Sequence, residues 1–336
     1  MKAVRLLGLF VLLAGTLWSV LALGFLEPLG RLSWVVAILA LVLAVLAWIR
    51  LPRRRTAACL LVGILAVQGL WIFQRPSLRR DWSEDMARVP RVSVEGDRVR
   101  ILDARAARYP SDQVDVHWRD LVLDLSGLER LDFMVEPIGL WGEAAHTLLS
   151  FGFSDGRQVG ISVEIRRQRG EAYSPLKGIF RQYELLYVVA DEEDLIGLRA
   201  NVRRHPVRLY PIRADRAQIR TLFVDMLRRA DGLGKEPEFY NTLTNACTTN
   251  IARHMESLGA DRLRFNRRVI FPGNADALAM EMGLIDAEGT LEALRARFLI
   301  NGRSGFGAQG ADWSRQIRSL PLRTSATLPS PGSSNR

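Results

Sequence analysis

The stretch Leu32-Ser-Trp-Val-Val-Ala-Ile-Leu-Ala-Leu-Val-Leu-Ala-Val-Leu-Ala-Trp-Ile49, followed at once by Arg50-Leu51-Pro52-Arg53-Arg54-Arg55, decides how this chain is organised. A helix needs ~20 apolar residues to cross a ~30 Å hydrocarbon core, and this run has that length and no charge. Uncharged runs of similar length lie on both sides of it, Leu6–Leu26 before and Thr56–Gln74 after. The spacing predicts three membrane spans. A signal peptide is the alternative for the first run, with Lys2 and Arg5 in front of it. Its apolar stretch is too long for a typical signal core, and two more spans follow immediately.

The arginine-rich turn also predicts orientation. Positive loops stay on the cytoplasmic side, so the N-terminus and the Arg50–Arg55 turn are expected inside, and the nearly neutral Glu27–Arg31 loop outside. An odd number of spans then puts the rest of the chain on the extracytoplasmic face of a bacterial inner membrane. Arg75, Arg79 and Arg80 after the third run argue mildly the other way. Trp18, Trp34, Trp48 and Trp71 stand toward span ends, as interfacial anchors do. The net charge of +10 over 336 residues owes much to these membrane-flanking arginines. No basic stripe interleaved with aromatics appears, so nucleic acid is not an expected partner.

Beyond the anchor (residues 1–75), the arginine-rich segment broken by Pro76, Pro90 and Pro110 reads as a juxtamembrane linker, 76–113. Residues 114–318 read as one extracytoplasmic domain, and 319–336 as a disordered tail of Pro, Ser, Thr and Gly. Short alternating runs at Leu121–Leu125 and Arg130–Val135 predict strands. Thr147–Phe153 and Gln158–Ile165 predict a hairpin turned at Ser154-Asp-Gly-Arg157. Glu184–Ala190 and Val207–Ile212 are two further strands. Arg213–Ala230 carries Ile219, Leu222, Phe223, Met226 and Leu227 at helical spacing. Further helices are expected from Thr244–Cys247 to Ser257, near Ala275–Met282 and near Gly289–Phe298. Strands gathered before helices predict an α+β domain.

There are two cysteines and four histidines. Cys59 lies in an apolar run and Cys247 deep in the soluble part, so no disulfide framework is expected. No metal-ligand spacing, glycine-rich phosphate loop or Gly-x-Ser-x-Gly elbow occurs, and no cofactor is expected. What remains is Tyr240-Asn-Thr-Leu-Thr-Asn-Ala-Cys247-Thr-Thr-Asn-Ile251. Polar residues precede an amphipathic run there, which puts Cys247 in the first turn of a helix. The helix dipole and unpaired N–H groups at that place stabilise a thiolate. A buried small hydrophobe is the alternative reading of a lone cysteine. His146 is the best-placed base, at the mouth of the Thr147–Phe153 strand. His117 also precedes a strand, and His205 lies in an Arg-Arg-His-Pro turn that looks solvated. His254 is seven residues beyond Cys247 on the same helix, ~10 Å away, which is too far to take the thiol proton.

Ala144-Ala-His146-Thr-Leu-Leu-Ser-Phe-Gly-Phe153, Ile161-Ser-Val-Glu164-Ile-Arg-Arg167, Phe180-Arg-Gln-Tyr-Glu-Leu-Leu-Tyr-Val-Val-Ala-Asp191 and Tyr240–Ile251 resemble the Lnb N-terminal periplasmic domain family, over roughly Trp118 to Phe271. The resemblance implies a circularly permuted papain-like fold, related to NlpC-type peptidases and lecithin:retinol acyltransferase, in which the histidine strand precedes the cysteine helix. It maps the nucleophile onto Cys247 and the general base onto His146. It also implies a polar group on the next strand that orients the histidine. Ser162 and Glu164 share one strand face, and Glu164 is the choice for that group. The alternative is that Glu164 is a surface partner of Arg166 or Arg181. Backbone N–H groups of Cys247 and Thr248 are the candidate oxyanion hole, with Asn245 and Tyr240 as positioning residues.

The family's named member is a lipoprotein N-acyltransferase, which moves an acyl chain from phospholipid to the N-terminal amine of a lipoprotein. By resemblance, the expected function is a membrane-anchored thiol acyltransferase or acyl hydrolase acting on phospholipid or lipoprotein. The family pattern carries its membrane helices after the catalytic domain, whereas this chain has them before it. Two alternatives are a cysteine amidase or peptidase of cell-wall peptide and a non-catalytic envelope-assembly or binding protein.

Overall fold

A computed structural model describes residues 2–26, 30, 32–109, 114–139, 142–260, 263–303 and 309–319. The tail beyond 319, Pro110 and most of the Glu27–Arg31 loop lie outside the described residues. The three apolar runs are helices: α1 (Lys2–Gly24), α2 (Leu32–Arg50) and α3 (Arg53–Phe73). They are 23, 19 and 21 residues long, and all three are long and apolar enough to cross a membrane. Most of their Leu, Val and Ile side chains face outward. In water that would be unfavourable, but a bilayer is as apolar as the side chains themselves. Polar side chains inside the bundle bond to backbone: Ser33 Oγ donates to Gly24 O (2.7 Å) and Thr56 Oγ1 to Ala47 O (3.1 Å).

The soluble part is built on one eight-stranded sheet. Its strands are β1 (Arg91–Glu95), β2 (Arg98–Arg105), β3 (Trp118–Asp124), β4 (Leu128–Ile138), β5 (Ala144–Phe153), β6 (Gln158–Arg166), β7 (Glu184–Ala190) and β8 (Arg208–Pro211). The order is β1-β2-β7-β6-β5-β4-β8, with β3 also on β2. All the pairings are antiparallel except β2 with β7.

Residues 91–105, read from the sequence as linker, are therefore two strands of the sheet. Val99 and Ile101 are fully buried, and Glu95 pairs with Arg98 across a two-residue turn in which Gly96 sits at φ +61°. Such turns need a positive φ, which glycine adopts without strain. The valine alternation was the signal, and the surrounding arginines masked it.

The strands bury both faces. Leu149, Phe151, Ile161, Val163 and Tyr187 point into one core. There α6 (Arg216–Leu233) places Phe223 4.8 Å from Phe151, ring to ring. This helix starts at Asp215, whose side chain caps Gln218 N–H. Leu148, Leu186 and Val188 point into a second core with Leu195, Ile196, Trp313 and Ile317. Those last four come from α5 (Glu192–Gly197) and α11 (Gly310–Arg318), which the sequence reading missed; α4 (Pro175–Ile179) was missed too. The remaining helices are α7 (Cys247–Ser257), α8 (Arg267–Ile270), α9 (Ala275–Glu281) and α10 (Leu291–Arg297). The result is a mixed α/β molecule with a sheet between two helical layers, preceded by three apolar helices.

Candidate active site

Cys247 is the first residue of α7, and its N-cap, Ala246, has no side chain able to cap the helix. The Ala246 N–H turns back to Thr249 Oγ1 (2.7 Å). A helix end of this kind presents N–H groups and the positive end of the dipole to whatever faces it. The thiol faces β5. Thr248 Oγ1 lies 2.9 Å from Thr147 Oγ1, which ties the start of the helix to the strand.

His146 is on β5, opposite Glu136 of β4. Its Nε2 lies 2.8 Å from Ser162 Oγ on β6 and 3.3 Å from Glu164 Oε1. Ser162 in turn donates to Glu164 Oε1 (2.6 Å). Ser162 and Glu164 share the strand face that the two-residue period assigns them, so serine and carboxylate together hold one imidazole nitrogen.

The electrostatics follow from this packing. Burial disfavours a charged imidazole, but the Glu164 carboxylate outweighs it, and His146 is pushed up to about 9. Burial likewise pushes the Cys247 thiol up; the neighbouring His146 charge and hydrogen bond and the Thr147 N–H outweigh it and bring it down to about 7. The two groups thus stabilise each other as imidazolium and thiolate, which is how a buried cysteine becomes nucleophilic at neutral pH. Burial opposes ionisation of Glu164 too, yet His146 and Arg199 hold it well below the usual carboxylate range.

Arg199 is the residue the sequence reading missed. It lies in a π-helical turn, Leu198–Val202, directly after α5. Its guanidinium spans two carboxylates, at 2.6 Å from the partly buried Glu164 Oε1 and 2.9 Å from the buried Glu136 Oε2. Glu136 also meets His205 Nδ1 (2.7 Å), so His205 is half-exposed and paired, not simply solvated. The only sequence signal was Asp191-Glu192-Glu193-Asp194, an acidic helix start that announces α5 and, beyond it, the turn carrying Arg199.

The other candidates fall into place around this centre. Tyr240 is buried and lines the cavity in front of the thiol, and burial and then Cys247 push its hydroxyl well up. The Asn245 side chain bonds to Phe239 O (2.9 Å) and accepts from Asn250 Nδ2 (2.9 Å), holding the loop that leads to Cys247. His117 is exposed beside Asp115, and His254 is buried between Tyr187 and Asp225, both away from the thiol. The cavity is about 610 Å³. Its lining is mixed: apolar Tyr173, Leu243 and Phe271, basic Arg167 and Arg203, and acidic Asp85 and Glu143 all contribute.

The family model described as Lnb N-terminal periplasmic domain matches residues 115–273, a span that holds His146, Glu164, Arg199 and Cys247. Comparison with curated proteins and with solved structures gives no match. With three membrane-length helices ahead of that span, the chain is a membrane-anchored protein carrying a periplasmic domain, and residues 115–273 of it are similar to the Lnb N-terminal periplasmic domain family.

Proposed function

We propose that this chain is a cysteine acyltransferase or acyl hydrolase working at the periplasmic membrane surface, with Cys247 as nucleophile, His146 as base and Glu164 as orienter. The observation that carries the reading is that His146 is held by the Ser162–Glu164 pair while the Cys247 thiol, at the start of a helix, lies 3.9 Å from the carbonyl of the adjacent Ala145. The histidine strand before the cysteine helix fits a permuted papain-like arrangement.

In the reaction, Cys247 gives its proton to His146, and the thiolate attacks the carbonyl carbon of an acyl ester. The negative charge moves to the carbonyl oxygen, and the N–H groups of Cys247 and Thr248 at the helix start are the donors proposed to bind it. Collapse breaks the ester C–O bond, and the departing oxygen takes the proton back from His146. A thioester is left on Cys247. An amine then attacks that carbonyl, passes a proton to His146 and expels the thiolate; water in its place gives hydrolysis. A phospholipid suits the cavity as acyl donor, since apolar side chains and arginines both line it. A thiol lowered to about 7 by the neighbouring His146 charge favours this reading over a non-catalytic binding protein.

The test is full-length protein, with Cys59→Ala, in vesicles of phospholipid bearing an alkyne-tagged acyl chain. A hydroxylamine-labile tag on Cys247, lost in Cys247→Ala and slowed in His146→Ala, is expected. Tagging that persists unchanged in Cys247→Ala, or none in either protein, sinks the reading.

A further inference from the structure

The sheet has one end tied to the membrane helices, and the candidate site lies at that end. Just past α3, Ser77 N–H donates to Glu184 Oε1 (3.1 Å), and Arg80 pairs with the same carboxylate (2.8 Å). Glu184 opens β7 opposite Arg166, and Glu164 sits opposite Leu186, only two residues or ~7 Å further along the strand. The other end of β6, at Gln158 and the 154–157 turn, is ~26 Å from Arg166 at the same rise per residue.

A second tie lies beside the cavity mouth. Phe180 stacks on Phe25 at the end of α1 (5.1 Å) and meets Trp18 (5.8 Å). Arg181 donates to Trp71 O (2.8 Å) and lies 3.6 Å over the Trp71 ring, while Gln182 Nε2 donates to Phe25 O (2.6 Å). These three residues directly follow α4, and α4 is bonded to the loop that precedes Cys247: Thr242 Oγ1 donates to Pro175 O (2.7 Å). The segment beyond α8 closes the mouth from the other side, with Gly273 N–H on Glu143 O (2.9 Å), next to the start of β5.

Around this mouth stand apolar side chains left exposed among the described residues: Tyr173, Leu176, Leu243 and Phe271, at 47, 42, 38 and 49% exposure. Apolar side chains grouped at a cavity entrance mark an interaction surface rather than scattered exposure. Because they are continuous with the ends of α1 and α3, the surface they meet is the one those helices enter. We infer that this rim dips into the outer lipid surface of the bilayer, so that the cavity opens onto lipid and takes its substrate from the membrane. The contact with lipid stands on this geometry alone; its use in acyl transfer rests on the function proposed above.

The test uses full-length protein, with Cys59→Ala and Cys247→Ala, in vesicles of phosphatidylethanolamine and phosphatidylglycerol. Nitroxide labels are placed through Leu176→Cys, Leu243→Cys and Phe271→Cys, with Val122→Cys as control. Val122 lies by the 154–157 turn, where its carbonyl accepts from Arg157, at the far end of the sheet. Contact with oxygen over contact with a water-soluble nickel complex should be several-fold higher at the three rim positions than at Val122. Equal, water-like values at all four overturn the proposal. A second variant, Leu176→Asp with both native site residues kept, should slow acyl-enzyme formation from bilayer phospholipid several-fold and leave alkylation of Cys247 by iodoacetamide unchanged. Lipid-facing labels without any acyl-enzyme would keep this inference and remove the proposed activity. An acyl-enzyme with water-facing labels would do the reverse.

Discussion

A thiol that is 7% exposed and a histidine beside a partly buried carboxylate define the chemistry at the residue scale. Burial by itself would keep Cys247 protonated, so its low value depends on His146. Alkylation of Cys247 by iodoacetamide, in a Cys59→Ala background, should rise as pH increases through about 7. With His146→Ala the rise should move to higher pH, and the rate near neutral pH should fall on the order of tenfold. A profile that His146→Ala leaves in place would mean that the thiol is lowered by something other than the imidazole. The imidazolium has a window of its own. His146 is raised in the folded state, so its contribution to stability is full below its ordinary 6.5 and is lost as pH rises through about 9. Acyl transfer should therefore lose its rate above about 9 as well. At this scale the sequence pointed to Cys247 and His146 through helix-start chemistry and strand position. Arg199 gave no comparable signal, because an arginine is usually a surface residue and its carboxylate partners are more than 30 positions away.

Elements decide whether those residues meet. The β5–β6 hairpin was legible from its alternation and its Ser154-Asp-Gly-Arg157 turn, and it sets His146, Ser162 and Glu164 side by side. The π-helical turn after α5 was not legible, and it brings Arg199 between Glu136 and Glu164. An extra residue in a helical turn swings a side chain away from the regular helical face, and functional sites often use that geometry. Arg199→Met should leave the buried Glu136 and the partly buried Glu164 without their arginine, at a cost of about 3 kcal/mol. Urea denaturation of the detergent-solubilised protein measures it, and a loss under about 1 kcal/mol would show that solvent or another group replaces the guanidinium. Packing is equally tight at Gly178 of α4, where an added Cβ would lie 2.3 Å from Thr242 Oγ1. That close approach is what lets α4 hold the loop before Cys247.

For the whole molecule, the spans fix how the domain is presented. A periplasmic domain after three spans predicts a cytoplasmic N-terminus. Alkaline phosphatase fused after Ser319 should be active in cells, and the same reporter in the Arg50–Arg55 turn inactive; the opposite pattern overturns the orientation. The sequence by itself determined the three membrane helices, the strands from Trp118 onward and the helix that opens at Cys247. Those features are written in uninterrupted apolar runs, alternation and turn residues, which act over a few positions. Only the tertiary structure decided that 91–105 joins the sheet, that α5 and α11 cover its second face, and that Arg199 backs the carboxylate behind His146. It also decided that the site stands at the membrane end of the sheet. These depend on which distant segments share buried space, and burial is a property of the packed whole, which local patterns do not encode.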